Sequence, residues 1–188
     1  MTAHARIVVL DGPSSSGKTC VARALQPLLD VPHLHLQLDA FRAMEPAGYW
    51  HDLAAAAARI ELLCGAMHAA LARYARGGQP MIFDTVLDQT AAWRRLFDDL
   101  SGLPVLLVGL RCDHVELARR ERARGDRPEG LALSQAARHA AYDESAHAHD
   151  LVVDTGRGTP GDAAHRIAAW LAAEPQPQAF LRAAVRLA

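Results

Sequence analysis

The chain has no asparagine and one lysine, Lys18, set against 19 arginines. Lysine is a compact point charge on a flexible stem and arginine a planar fork, so a lysine kept amid so much arginine marks a site that needs the former. Acidic and basic residues nearly cancel, to a net charge of −1. That balance excludes a global field for nucleic acid or an anionic membrane, so any anion site must be local. Cys20, Cys64 and Cys112 are odd in number, far apart and without metal-ligand spacing, and no signal peptide precedes them. A reduced, cytoplasmic setting is expected. The longest apolar run, 103–110, is well short of the roughly 20 residues of a membrane span and reads as a buried strand. At 188 residues the chain suits a single catalytic domain. Length and composition leave homo-oligomerisation open.

Strand and helix patterns alternate. Short apolar runs at 6–10, 34–38, 81–84, 105–110 and 151–154 are bounded by Gly, Pro or Asp. Between them lie helical patterns, the clearest with Ile60, Leu63, Met67, Leu71 and Tyr74 on one stripe and Gly77–Gly78 at its C-terminal end. That stripe is expected to face a sheet. Near-continuous apolar strands separated by helices imply a parallel sheet covered on both faces, an α/β doubly wound fold. The arginine-dense stretch 119–130, broken at Gly125 and Pro128, reads as a charged mobile excursion and a lid candidate. The domain is expected over 1–173, with 174–188 a short linker and C-terminal helical tail.

Residues 12–19, Gly12, Pro13, Ser14, Ser15, Ser16, Gly17, Lys18 and Thr19, fit the Walker A pattern directly after an expected strand and at the start of an expected helix. Such a loop aims backbone N–H groups at phosphates and adds the positive end of the helix dipole; Cys20 continues the same turn. Lys18 is expected on the β and γ phosphates, and the Thr19 hydroxyl on magnesium. Asp84 ends the third strand and is a Walker B candidate for that metal, or else a turn cap. Asp11 reads as a turn residue. Asp39 ends the second strand, where a carboxylate can take the proton of an attacking hydroxyl or cap a helix. Arg120, Arg124 and Arg127 are either lid arginines that stabilise phosphoryl charge or a solvated helix face. The loop 154–160, containing Thr155, offers an adenine a resting place or forms a plain turn, with Thr159 and Pro160 opening a helix. His33, His35, His147 and His149 have no cysteine or carboxylate framework and are taken as solvated. The guanine-reading Asn-Lys-x-Asp pattern of GTPases cannot exist in this chain.

These residues resemble a known family, the chloramphenicol 3-O-phosphotransferase-like P-loop kinases. The resemblance runs from about residue 6 to 155 and is carried by Leu-Asp-Gly-Pro-Ser-Ser-Ser-Gly-Lys-Thr, Leu-Asp-Ala-Phe-Arg-Ala-Met and Ile-Phe-Asp-Thr-Val-Leu. Its most specific pieces are 108–113, Val-Gly-Leu-Arg-Cys-Asp, and 120–127, Arg-Glu-Arg-Ala-Arg-Gly-Asp-Arg. It implies a three-layer fold with a five-stranded parallel sheet, ATP and Mg2+ as nucleotide and metal, and transfer of the γ-phosphate to a hydroxyl of a small molecule. Chloramphenicol is the first candidate acceptor, the alternatives being a kinase for another small metabolite or a nucleoside monophosphate, or a non-catalytic ATP-binding module. Asp39 then takes the place of the catalytic base, and Arg124 and Arg127 those of the lid arginines. No convincing match covers 45–79. Phe41, Met44, Tyr49 and Trp50 are the expected apolar wall beside Asp39, and Arg42 or Arg59, if turned inward, would favour an anionic acceptor.

Overall fold

The computed structural model describes residues 7–46, 53–125, 128–143, 149–173 and 176–187. Its centre is a five-stranded, all-parallel sheet in the order β2-β3-β1-β4-β5. The strands are β1 (Ile7–Asp11), β2 (Leu34–Gln37), β3 (Met81–Thr85), β4 (Val105–Arg111) and β5 (Leu151–Asp154). All match the expected runs to within a residue at each described end. One consequence is local: Leu38 leaves β2 and opens a short helix, α2 (Leu38–Arg42), which places Asp39 in its first turn.

Parity along β1 and β4 divides the core into two layers. Val9, Phe83 and Leu107 face one side, where they meet α3 (Leu53–Arg76), α4 (Thr90–Leu100) and the C-terminal α8 (Ala179–Leu187). Val8, Leu10, Ile82, Leu106 and Val108 face the other, against α1 (Lys18–Leu25) and α7 (Pro160–Ala172). A strand buried on both faces has no need of polar alternation, and β1 is buried at every position. The anticipated stripe of α3 is only half a core face. Met67 and Leu71 are buried, but Ile60 and Tyr74 are 41% and 48% exposed, Ile60 turning to the cavity described below.

The remaining pair, α5 (His114–Arg124) and α6 (Leu131–Asp143), stands over the C-terminal edge of the sheet. Of the arginine-rich stretch, the residues up to Arg124 belong to α5, and 128–130 lead into α6. Gly125 ends α5 with φ of 66°, and the buried Glu121 carboxylate accepts N–H groups of Gly130 and Ala132 at 2.7 and 2.6 Å. One acidic side chain thus caps α6 and ties it to α5. Thr159 caps α7 with Pro160 at its first position, as anticipated, and Asp162 completes the capping box. The tail is also fastened. Asp150 accepts the N–H groups of Gln178 and Ala179 with Oδ1 and that of Leu107 with Oδ2, at 2.7, 2.8 and 3.0 Å. Ala179 and Phe180 then complete the first core layer.

Candidate active site

Parallel strands bring their C-terminal ends to one edge, and the register there sets Leu10 opposite Asp84 and Asp11 opposite Gly109. The loop 12–17 leaves β1 at this edge. Gly12 passes so close to β4 that a Cβ would lie 2.7 Å from the Leu110 carbonyl oxygen, and Gly17 takes a φ of 93° at the N-cap of α1. Ser15 is also left-handed, at φ 62°. Lys18 folds back across the loop, its Nζ donating to the carbonyls of Gly12 and Pro13 at 2.8 Å each. The ammonium is thus set within the loop's concavity. Among the described residues the buried Ser15 and Ser16 hydroxyls have no hydrogen-bond partner, which suits an anion that brings its own acceptors.

Thr19 in the first turn of α1 donates to Asp84 Oδ2 at 2.7 Å and lies 2.9 Å from Gln37 Oε1. Asp84 is buried, with His35 Nε2 at 3.5 Å, and its carboxylate turns into the site rather than capping the following turn. These are hard oxygen donors, the kind magnesium takes when phosphates and water supply the rest of its shell. Across the site, Asp39 meets one residue remote in sequence and one on its own helix. Arg124 Nη2 lies 3.4 Å from Asp39 Oδ2, and Arg42 Nη1 3.6 Å from Oδ1. A cap residue would instead turn its carboxylate to a helix N–H. Arg120 donates to the Thr155 carbonyl at 2.7 Å and to Glu116 at 2.7 Å; hydrogen bonds from Arg119 and Arg120 hold the Glu116 carboxyl down to about 2. The Thr155 hydroxyl supports the loop from beneath, donating to the Ser16 carbonyl at 2.6 Å.

One cavity of about 790 Å³ is bordered by Ser14, Ser15, Gly17, Lys18, Thr19 and Cys20, then Asp39, Asp84, Arg120 and Arg124, while Gly12, Pro13 and Ser16 are not part of its lining. Arg127, Tyr49 and Trp50 fall outside the described residues. The expected apolar wall is not built from its other members, for Phe41 packs on the core and Met44 is 69% exposed. Nearness to Asp39 in sequence was the misleading cue. The wall comes from α3, as Ile60, Cys64, Met67 and His68, with Leu38 and Val86. Arg42 does line the cavity, whereas Arg59 pairs with Glu45 at 2.8 Å.

Behind the loop lies an arrangement that no local sequence signal announces. Asp11, fully buried, accepts from His139 and His149 Nε2 at 2.9 Å each and from the Leu87 N–H at 2.8 Å. Burial alone would push its carboxyl up, but the two histidines outweigh burial and hold it far below the usual range. His139 is raised in turn, burial being overcome by Asp11. Asp11 is no turn residue; His33 and His149 are buried rather than solvated, the His35 side chain is 8% exposed, and His147 falls outside the described residues. His139, four residues after Gln135, brings α6 to the loop, where Gln135 Oε1 accepts the Ser14 N–H at 2.7 Å.

Fold and site together define a small-molecule kinase built on the P-loop kinase sheet. A family model described as chloramphenicol phosphotransferase-like protein matches residues 5–172, and the chain belongs to that family. A Mycobacterium tuberculosis (strain H37Rv) protein named "Putative O-phosphotransferase Rv2636" is 31% identical over 205 aligned positions, covering 94% of this chain and 87% of that protein. Among solved structures, shikimate kinase from Acinetobacter baumannii in complex with shikimate superimposes with a TM-score of 0.64 at 19% identity, over 91% of this chain and 95% of the other. A gluconokinase from Sinorhizobium meliloti 1021 gives 0.58 at 17%, over 92% and 94%. At these identities the structural likeness concerns the fold. Among the described residues no helix is long and apolar enough to cross a membrane.

Proposed function

We propose that the enzyme moves the γ-phosphoryl group of ATP to a hydroxyl of a small, partly apolar molecule, with chloramphenicol the first acceptor to test. The observation that carries this reading is the meeting of Asp39 and Arg124, 85 positions apart, at 3.4 Å in the cavity the P-loop borders. In this reading Asp39 takes the proton of the acceptor hydroxyl as its oxygen forms a bond to the γ-phosphorus, and the bond to the ADP oxygen breaks. Lys18 and Arg124 balance the charge spread over the transferring group, and Arg120 joins them from the same helix. Thr19 and Asp84 would hold Mg2+, which would neutralise β and γ oxygens. Arg120, Thr155 and Pro160 border the cavity beside the loop 155–160, a position suited to the adenine end. The segment 119–130 acts as the lid over a kinase domain spanning 1–173.

A neutral acceptor fits better than an anionic one. Arg42 and Arg95 both line the cavity, but each is paired with a carboxylate, Asp39 and Glu61 respectively. The test is direct: incubation with magnesium, ATP and a panel of hydroxyl compounds headed by chloramphenicol, read by mass for a product heavier by one phosphoryl group. Such a product, formed about 100-fold or more slowly when Asp39 is Asn, is the expected result. Hydrolysis of ATP with no phosphorylated member of the panel would overturn the reading.

A further inference from the structure

His68 sits on the cavity face of α3, four residues after Cys64 and eight after Ile60, so all three share one side of the helix. It is 6% exposed, and its ring is fixed from two directions. Nδ1 lies 2.5 Å from Asp99 Oδ2 on α4, and the ring meets Phe83 edge-on, with centroids 5.3 Å apart at 78°. A carboxylate only accepts, so the proton of this bond is on Nδ1, and Nε2 is the nitrogen left for a group in the cavity. The cavity wall it shares is largely apolar, with Leu38, Ile60, Met67, Val86 and Ala92, and carries Arg95 of α4, paired with Glu61, as a charged member. A polar atom held at a fixed angle in an apolar wall sorts ligands, because one that offers no partner leaves it desolvated and unpaired.

We propose that His68, oriented by Asp99, is a recognition point of the acceptor site, selecting molecules that carry a second hydroxyl or an N–H group besides the hydroxyl that is phosphorylated. Asp99 is the positioning residue. The proposal rests on the cavity being the acceptor site, and it adds the chemistry of the acceptor: an apolar body, a reacting hydroxyl at Asp39 and a hydrogen-bond donor facing α3. A purely structural His68–Asp99 pair would join α3 to α4, and its loss would lower stability without altering the choice among acceptors.

The test compares wild type, His68→Leu and His68→Gln on chloramphenicol and on a matched pair, 1-phenylpropane-1,3-diol and 3-phenylpropan-1-ol, at saturating ATP. Wild type should favour the diol over the simple alcohol by about tenfold in kcat/KM, the worth of one hydrogen bond. His68→Leu should erase that preference and raise the chloramphenicol KM by about tenfold, with the ATP KM unchanged, and His68→Gln should restore part of both. Thermal melts establish that each variant is folded, and the glutamine variant decides should the leucine variant fail to fold. A preference that survives in the variants, equal use of diol and alcohol by wild type, or no phosphorylation of any of the three would overturn the proposal. Failure on these three while another panel compound is phosphorylated would leave the kinase reading standing.

Discussion

Lys18 is at once the most legible residue in the sequence and the one whose geometry is most restrictive. Its Nζ is held by two carbonyls of its own loop, a grip that suits a point charge and not a fork. Lys18→Ala should abolish phosphotransfer and Lys18→Arg largely do so, measured as turnover of the phosphorylated panel compound; near-normal turnover in the arginine variant would sink the assignment. Asp39→Asn should lower kcat about 100-fold or more while ATP affinity, measured by calorimetry, stays close to wild type. Asp11 is the opposite case. Its neighbours in sequence suggest a turn, and its true partners are 128 and 138 positions away, beyond the reach of any local pattern. The sign of its pH effect follows from the two shifts. Depression of the Asp11 carboxyl stabilises the fold above the ordinary carboxylate range and is lost in acid, while elevation of His139 stabilises it below about pH 6.5 and is lost as pH rises through the folded value. With His149 and Arg111 also facing the pair, the His139 contribution to the melting temperature should fall between pH 6 and pH 9, against the opposite trend of His33, which burial lowers. His139→Gln should melt lower than wild type at pH 6, by a margin that narrows toward pH 9; a constant margin would remove this contribution.

Among the elements, the strands and the P-loop were readable because burial on both faces and a glycine-framed loop leave strong local marks. The helices that wall the cavity were not, since α3 serves the core with Met67 and Leu71 and the cavity with Ile60 and Cys64, and a stripe of apolar residues reads the same for both. The α5–α6 pair shows a division that helical periodicity conceals. Arg138 Nε bonds Asp88 at 2.8 Å and His139 bonds Asp11, so α6 is fixed to the sheet edge, and the proposed closure would have to come from the α5 side. ATP should therefore slow hydrogen exchange over 120–130 and leave α6 unchanged; equal protection with and without nucleotide would refute closure. Arg124→Ala should depress kcat more than it weakens ATP binding, because its contact lies at Asp39.

At the scale of the whole molecule, the C-terminal tail closes the fold. Its composition, with Pro and Gln leading into a short amphipathic stretch, gave no sign that Phe180 would lie 4.7 Å from Phe97 and only 4% exposed. Phe180→Ala should cost about 3 kcal/mol in denaturant unfolding, as for other buried aromatic truncations, with little change in the ATP KM of the folded enzyme. A cost under about 0.5 kcal/mol would mean that α8 is not part of the cooperative unit. One close contact reaches further. Gly109 stands opposite Asp11 in the sheet, and a Cβ there would come within 2.8 Å of the His149 ring, so the histidine reaches Asp11 only because β4 has no side chain at that point. Over evolutionary time these two sites are bound to a shared history: lineages that gain alanine at 109 should have given up the imidazole at 149, and in the laboratory Gly109→Ala should be far less harmful when introduced into His149→Ala than into wild type.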